Sequence, residues 1–246
     1  MTTKHLFATG IALLSLGLAA QATTYSGNGN NGFGGPIGDG SLTLTDDGTT
    51  LTGTVTKGPN GFNDVLVIYI DTVAGGFTTS AGFTDSGDGL RKAISGFDGG
   101  SNRSTLNFAA GFAPDYAIAL GPASDSFGGL WTLVDGGSHT FDSSVNLTPT
   151  GTTTAATYTF SLSLASIGLT PGAGQSFELF GTYISNSGYR ADEAVAGTET
   201  GAQGWGNTIT QTGFGTFTTT AVPEPSMLAL SAISGLATLY MLRRRN

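Results

Sequence analysis

The side chains best suited to hold a metal ion are carboxylates in glycine-rich loops. Calcium takes about six to eight oxygen ligands from carboxylates, amide side chains and backbone carbonyls, and glycines let a loop bend around it. The candidate carboxylates lie in Asp-Gly loops or beside one another, and they are Asp46, Asp47, Asp85, Asp88, Asp192 and Glu193. None of them follows EF-hand spacing, and Asp-Gly also forms simple turns. The pattern leaves two interpretations open, calcium loops or plain turns.

One aromatic residue is placed where a sugar could stack on it. Trp205 stands between Gly204 and Gly206, which is a poor position for a core residue and a good one for an exposed loop. A flat ring with one apolar face and polar neighbours is suited to bind carbohydrate. Tyr189 is the second candidate, whereas Trp131 lies in an apolar run and is expected to pack inward. Single exposed aromatic residues are also common on surfaces without a ligand.

Catalysis by a nucleophile or by zinc has few candidate residues. The chain has no cysteine, which excludes cysteine nucleophiles, disulfides and thiolate metal sites. His139 is the single histidine after the first 22 residues, and catalytic zinc generally needs more than one. A Ser-His-Asp arrangement around His139 stays open, because triads are defined by geometry and not by spacing.

Glycoside hydrolysis is the other chemistry that carboxylates could perform. It needs two carboxyl groups about 5–10 Å apart across a cleft. Six acidic residues at the borders of apolar segments could supply them, namely Asp64, Asp71, Asp115, Glu178, Asp192 and Glu193. Each also fits an ordinary place at a strand end or in a turn, and no motif selects a pair. We therefore expect a protein without catalysis.

The elements that must position these residues are strands. Apolar residues alternate with threonine or serine over residues 42–45, 51–56 and 158–164, which is typical of strands with one face in the core. Residues 65–70 form a continuous apolar run, which predicts a central strand covered on both faces. A single helical turn is expected, at 164–169. The pattern predicts an all-β fold, an antiparallel β-sandwich.

The rest of this domain is polar and acidic. Residues 25–40, rich in Gly and Asn, predict an irregular entry loop, and residues 216–221 predict a short stalk. Of 17 acidic and 9 basic side chains, Glu224, Lys4 and the three terminal arginines fall outside residues 23–221, which leaves a net charge of −11. Such a surface attracts divalent cations and argues against a nucleic-acid partner.

The first 22 residues have the pattern of a secretory signal peptide. A positive start at Lys4 is followed by an almost wholly apolar stretch, residues 6–20. Ala20 and Ala22 then fit the small-x-small site that signal peptidase cuts. We expect cleavage there, with an uncleaved anchor helix as the alternative.

The last 25 residues, 222–246, contain three distinct segments in succession. Pro223-Glu224-Pro225 is followed by the uncharged run 227–242, and then by Arg243, Arg244 and Arg245. A helix over that run would rise about 24 Å, slightly less than a hydrocarbon core of about 30 Å. Flanking arginines can snorkel, and they favour the cytoplasmic side. The sequence therefore predicts one C-terminal transmembrane helix.

This tail resembles the PEP-CTERM sorting signal, which joins a Pro-Glu-Pro motif, an apolar helix and an arginine cluster in that order. The resemblance implies a diderm bacterium in which an exosortase, a membrane processing enzyme, recognises and cuts the tail. It also implies an association with exopolysaccharide and biofilm. An ordinary C-terminal anchor helix is the alternative.

Residues 65–76, 114–120 and 158–194 form a series of predicted strands and turns. In this series the exported domain resembles DOMON-like sandwiches, the group that includes family-nine carbohydrate-binding modules. It implies a sandwich of jelly-roll type that binds sugar or is stabilised by calcium. No sugar-site motif of that group can be matched residue by residue.

Together these patterns predict a signal peptide at 1–22, an exported sandwich at 23–221 and a sorting signal at 222–246. The protein is expected to be held briefly in the inner membrane and then to reach the cell surface or extracellular matrix. There it would bind or organise polysaccharide. The alternatives are a structural coat protein without a specific ligand and, less favoured, a glycan hydrolase.

Overall fold

The computed structural model describes residues 21–121, 127–222 and 243. Within that part of the chain no helix is long and apolar enough to cross a membrane. The predicted signal peptide up to Ala20, and the sorting signal from Pro223 onward apart from Arg243, lie outside the described residues. Both therefore stay predictions.

The segments with the predicted alternation of apolar and polar residues form most of the first sheet. Its four strands are antiparallel and run, from one edge to the other, as β1 (Ala22–Ser26), β2 (Ser41–Asp46), β3 (Thr50–Thr56) and β9 (Thr157–Ser163). In β9, Tyr158, Phe160 and Leu162 are buried while the threonines and serines between them are exposed. One face of this sheet packs inward and the other is a hydroxyl-rich surface.

The second sheet contains the predicted central strand. Across the sheet its strands are β11 (Arg190–Val195), β10 (Ser176–Ile184), β4 (Val65–Asp71), β6 (Tyr116–Leu120), β7 (Gly128–Thr132) and β8 (Thr140–Ser144), and β14 (Gly215–Thr218) pairs with β10. From Val65 to Ile70 every residue of β4 is buried. The prediction of a strand covered on both faces is confirmed.

Two hydrophobic cores cover the faces of the second sheet. The first fills the space between the two sheets, where Leu42 and Phe160 meet Ile68. The second lies beneath a cap made of helix α1 (Gly89–Ser95) and a small third sheet. The strands of that sheet are β12 (Glu199–Thr200), β13 (Thr208–Gln211) and β5 (Thr105–Asn107), with β13 and β5 parallel. The described chain is a mostly antiparallel β-sandwich with this added layer.

The sequence prediction missed α1. Asp88 caps its first turn by accepting hydrogen bonds from the backbone amides of Leu90 and Arg91, and Gly96 ends it in the left-handed conformation. The sequence left calcium loops and plain turns open for the Asp-Gly pairs here, whereas aspartate before a helix and glycine after it are also the usual capping residues. The helical turn predicted at 164–169 is confirmed as a 3-10 helix, Leu164–Ile167.

The prediction of a stalk at residues 216–221 is wrong. These residues form β14 and a continuation that is bonded to the domain through Val222, whose backbone amide donates to the carbonyl of Gly172 at 2.9 Å. Threonine and glycine do not distinguish a short strand from a linker, because they are common in both. The pairing to β10 depends on residues far away in the sequence.

Both ends of the domain lie at one end of the sandwich, which we call the terminal pole. Ala22 pairs with the end of β2, where the Asp46 carboxylate accepts hydrogen bonds from the backbone amide and hydroxyl of Thr220. The opposite end, the distal pole, carries the turn between β10 and β11, residues 185–189, and the entry loop, which begins at residue 27 and ends at 40 because Tyr25 and Ser26 of the predicted loop belong to β1.

Candidate functional site

A fully buried carboxylate fixes the entry loop at the distal pole. Glu193, on β11, has 0% of its surface exposed. Its Oε1 accepts hydrogen bonds from the backbone amides of Phe33 at 2.7 Å and Gly35 at 3.1 Å. Its Oε2 accepts from the amides of Ile37 at 3.1 Å and Gly38 at 3.2 Å. Hydrogen bonds to an ionised acceptor are stronger than neutral ones, so this set holds the loop closely.

The neighbouring residue adds a second attachment. The side-chain amides of Asn28 and Asn30 both donate to the backbone carbonyl of Asp192, at 2.8 and 3.0 Å. The backbone amide of Gly32 donates to Asp192 Oδ1 at 3.1 Å. Two adjacent acidic residues that were candidate calcium ligands are thus the acceptors that fold the entry loop onto β11.

This attachment assembles an aromatic platform, which consists of Phe33, Tyr189 and Trp205. The rings of Phe33 and Tyr189 stack with centroids 5.7 Å apart, and Tyr189 meets Trp205 edge-on at 5.4 Å. Trp205 is 40% exposed, and its indole Nε1 donates to the carbonyl of Ser187 at 3.4 Å. The structure therefore brings together the two predicted aromatic residues. It adds Phe33, which no local sequence signal marks, and Trp131 is buried as predicted.

Two glycines allow polar groups to converge beside the platform. Gly204 has a φ of +96°, and a Cβ there would lie 2.8 Å from the ring of Tyr189. A Cβ on Gly32 would lie 2.5 Å from both Asp192 Oδ1 and Gln203 Nε2. The carboxylate and the carboxamide thus approach the same point, and we call Asp192 and Gln203 the polar pair. Gln203 was not predicted, because its position depends on contacts distant in sequence.

The other calcium candidates lie elsewhere and already accept protein donors. Asp46 and Asp47 lie in the turn between β2 and β3. Asp46 binds the amide of Gly48 in addition to Thr220, and Asp47 Oδ1 accepts from the amides of Thr49 and Thr50. These backbone hydrogen bonds hold the pKa of Asp47 below its usual value, and the bond from the Thr50 amide has the largest effect.

Asp85 and Asp88 lie at the start of α1, where both contact Arg91. The six carboxylates thus occupy three separate places. Among the described residues, no group of three or more His, Cys, Asp or Glu is arranged to hold a metal ion. Each candidate accepts hydrogen bonds from the protein, in a turn, at a helix cap or in the attachment of the entry loop, and a calcium requirement stays a prediction.

The surroundings of His139 are not those of a catalytic triad. Its ring Nδ1 accepts the backbone amide of Val134 at 3.1 Å, so the neutral ring carries its proton on Nε2 and donates to the Ser95 hydroxyl at 3.1 Å. Asp85 accepts the backbone amide of His139 and does not bind the ring. The imidazole therefore has no free nitrogen with which to take a proton from Ser95, which is itself fully buried.

Three of the six predicted hydrolase carboxylates do come together, at the terminal pole. Asp71 on β4 lies directly opposite Glu178 on β10, and Asp115 lies beside Asp71. Burial raises the pKa of Asp71 and of Glu178, and each is raised further by a neighbouring carboxylate. Asp71 borders a groove of about 490 Å³. Asp115 is turned away toward the backbone amide of Val73.

A buried polar chain lies behind the platform. Arg190 and Glu199 have 0% and 6% of their surface exposed, and the hydroxyl of Thr182 links them at 3.1 and 3.3 Å. Burial raises the pKa of Glu199 to about 8, although the charge of Arg190 opposes the shift. This chain connects β10 and β11 to β12, the strand that leads into the loop of Trp205.

Comparisons of this chain with protein-family models, with curated proteins and with solved structures each found no match. The assignment of a function therefore depends on the chain's own residues.

Replacing Glu193 by glutamine tests the attachment of the entry loop. The amide nitrogen of glutamine would face two backbone N–H groups that need an acceptor, so we expect the free energy of unfolding to fall by about 2–4 kcal/mol. Glu178→Gln is the matched control, because Glu178 faces the like charge of Asp71 and should lose no stability. Equal denaturation midpoints for the two variants would contradict the role given to Glu193.

The buried His139 predicts acid sensitivity. Burial lowers its pKa from 6.5 to about 4. Between these values the unfolded chain binds a proton that the folded chain does not, so stability is full above pH 6.5 and falls by about 3 kcal/mol toward pH 4. His139→Asn keeps an acceptor for Val134 and cannot titrate, so its stability should decline less over that interval. Urea unfolding of both proteins from pH 7 to 4 measures the difference, and parallel curves would refute it.

Proposed function

We propose that this protein is exported, sorted to the cell surface by an exosortase, and binds extracellular polysaccharide without catalysis. The N-terminal signal pattern and the Pro-Glu-Pro, apolar and arginine segments of the tail support the sorting part. The sandwich architecture is compatible with a DOMON-like or jelly-roll domain. The aromatic platform is the observation that carries the binding part.

The platform has the properties that carbohydrate recognition requires. Trp205 is exposed, yet the ring of Tyr189 and the hydrogen bond to Ser187 restrict its orientation. A sugar can place its C–H groups against such a ring, and a fixed ring loses little entropy on binding. The polar pair meets at Gly32, next to Phe33. Gln203 is two residues before Trp205, so the pair would offer hydrogen-bonding groups to a stacked sugar. An apolar surface with a few convergent polar groups is the usual composition of a ligand site.

The position of the platform also suits a surface protein. Val222 is bonded to the domain at the terminal pole, and only residues 223–226 separate it from the predicted membrane helix. Four residues span at most about 14 Å. A helix in the membrane would hold the terminal pole close to the lipid, and the platform at the distal pole would then face outward.

Truncation of the platform tests the binding function. We expect Trp205→Ala to abolish retention on insoluble extracellular polysaccharide, because it removes the stacking surface. Its cost in stability should remain well below the 3–5 kcal/mol, roughly, of a buried large aromatic. Phe141→Ala is the matched control, since Phe141 is also exposed, at 44%, but lies on β8 away from the platform. If Trp205→Ala and Phe141→Ala are retained equally well, the platform is not the site.

Processing of both ends tests the sorting function. Intact-mass measurement of the cell-surface form should give a chain that begins at Thr23 and ends near Glu224. A Glu224→Ala variant should accumulate in the membrane with its C-terminus uncut. A surface form that still ends in Arg243-Arg244-Arg245-Asn246 would contradict processing.

Two other functions each have one supporting observation. The outward positions of β1, β2, β3 and β9 are serine or threonine apart from Ala22, and this uncharged face could pack against another copy in a structural coat. The opposed Asp71 and Glu178 line a second, smaller groove of about 260 Å³ and could serve a glycan hydrolase. Assembly without glycan binding would favour the first, and release of reducing sugar would favour the second.

A further inference from the structure

The polar pair has unused hydrogen-bonding capacity. Asp192 Oδ1 accepts from Gly32, but Oδ2 has no hydrogen-bond donor among the described residues. The Gln203 side chain makes no hydrogen bond with the described residues either, although its backbone carbonyl accepts from Asn207 at 2.6 Å. Both side chains are only partly exposed. They therefore present a carboxylate acceptor and a carboxamide donor and acceptor side by side.

Among the described residues, no basic side chain forms an ion pair or a hydrogen bond with this pair. Arg190 is buried behind it, and Lys57 donates to the carbonyls of Gly58 and Asn60. The three remaining basic residues of 23–221 lie on or next to the α1 side of the cap, and they are Arg91, Lys92 and Arg103. The formal charges of Asp192, Glu193 and the buried Arg190 sum to −1, so the local charge is still negative.

We propose that Asp192 and Gln203 select neutral glycans at the platform. This inference rests on the proposed glycan-binding function and names the class of ligand. Asp192 Oδ2 would accept hydroxyl protons from vicinal positions of a sugar ring stacked on Trp205, since an ionised carboxylate is an acceptor only. The carboxamide of Gln203 would donate to one sugar oxygen and accept from the next hydroxyl.

Charge excludes the other main class of extracellular polymer. A uronic acid, sulfate or phosphate placed on Trp205 would bring a negative group close to Asp192, and no exposed cation among the described residues pairs with Asp192 to offset the repulsion. The net charge of −11 over residues 23–221 also lowers the approach rate of an anionic chain.

Stacking and hydrogen bonding make separable contributions. Stacking on an aromatic ring depends weakly on the hydroxyl pattern of the sugar, whereas a hydrogen-bonding group discriminates strongly against ligands that leave it unpaired. Trp205 therefore supplies affinity, and the polar pair supplies selectivity.

Titration of the full-length protein with two sets of oligosaccharides tests this inference. The neutral set comprises cello-, laminari- and manno-oligosaccharides, and the anionic set is alginate oligosaccharides. The native protein should bind at least one neutral series, and alginate about tenfold more weakly or not at all. Gln203→Ala should weaken neutral binding about tenfold or more at an unchanged melting temperature.

Asp192→Asn gives the readout that a structural role would not produce. Asparagine keeps an acceptor for Gly32, so the entry loop should stay in place while the neutral-to-anionic affinity ratio falls. Asp142→Asn is the matched control, because Asp142 also accepts one hydrogen bond, from Thr132, and lies on β8. Its affinity ratio should equal that of the native protein.

The possible failures are distinguishable. If the native protein binds no oligosaccharide of either set, the proposed glycan-binding function fails. If it binds neutral glycans but Gln203→Ala and Asp192→Asn leave affinity and ratio unchanged, the binding function stands and the polar pair is excluded. Tighter binding of alginate than of every neutral series would overturn the ligand class.

Discussion

The structure of the distal pole depends on one buried carboxylate, that of Glu193. It is fully shielded from water, and no salt bridge reaches it among the described residues. An isolated buried carboxylate would be costly, and buried backbone amides without acceptors would be costly too. The entry loop solves both problems, because its four amides are donors that no strand or helix satisfies. Carboxylate and loop therefore require each other, and Phe33 reaches Tyr189 as a result.

A sheet covered on both faces gives this arrangement its foundation. The strands β4, β10 and β11 contribute side chains to both cores, so the backbone beneath Glu193 and Tyr189 cannot shift without disturbing tightly packed groups on either side. The buried chain from Arg190 through Thr182 to Glu199 crosses from the sheet into the cap. It attaches the strand that precedes Trp205 to the same foundation. The loop residues Tyr189 and Trp205 are thus held in fixed positions by the strands of the second sheet and of the cap.

Local patterns predicted the parts of the structure that local interactions determine. The alternation in β9 and the apolar run in β4 identified their strands, because burial follows directly from side-chain period. Trp205 and Tyr189 were found from their immediate neighbours. Phe33 and Gln203 were not, since each acquires its role from residues distant in sequence. Asp88 shows another limit: aspartate before glycine suits a turn and a helix cap equally, and only packing beneath α1 decides between them.

The placement of the two poles has a mechanical consequence. Tension applied at the platform and resisted at Val222 would run along the strands and not across them. Between β10 and β14 such a load acts on all the paired residues, Ser176 to Leu179 against Gly215 to Thr218, at the same time. Strands loaded in shear separate only when several hydrogen bonds break together, whereas strands pulled from one end open one bond after another. Under the proposed function, the domain would transmit force between a bound polymer and its membrane attachment without its strands unzipping.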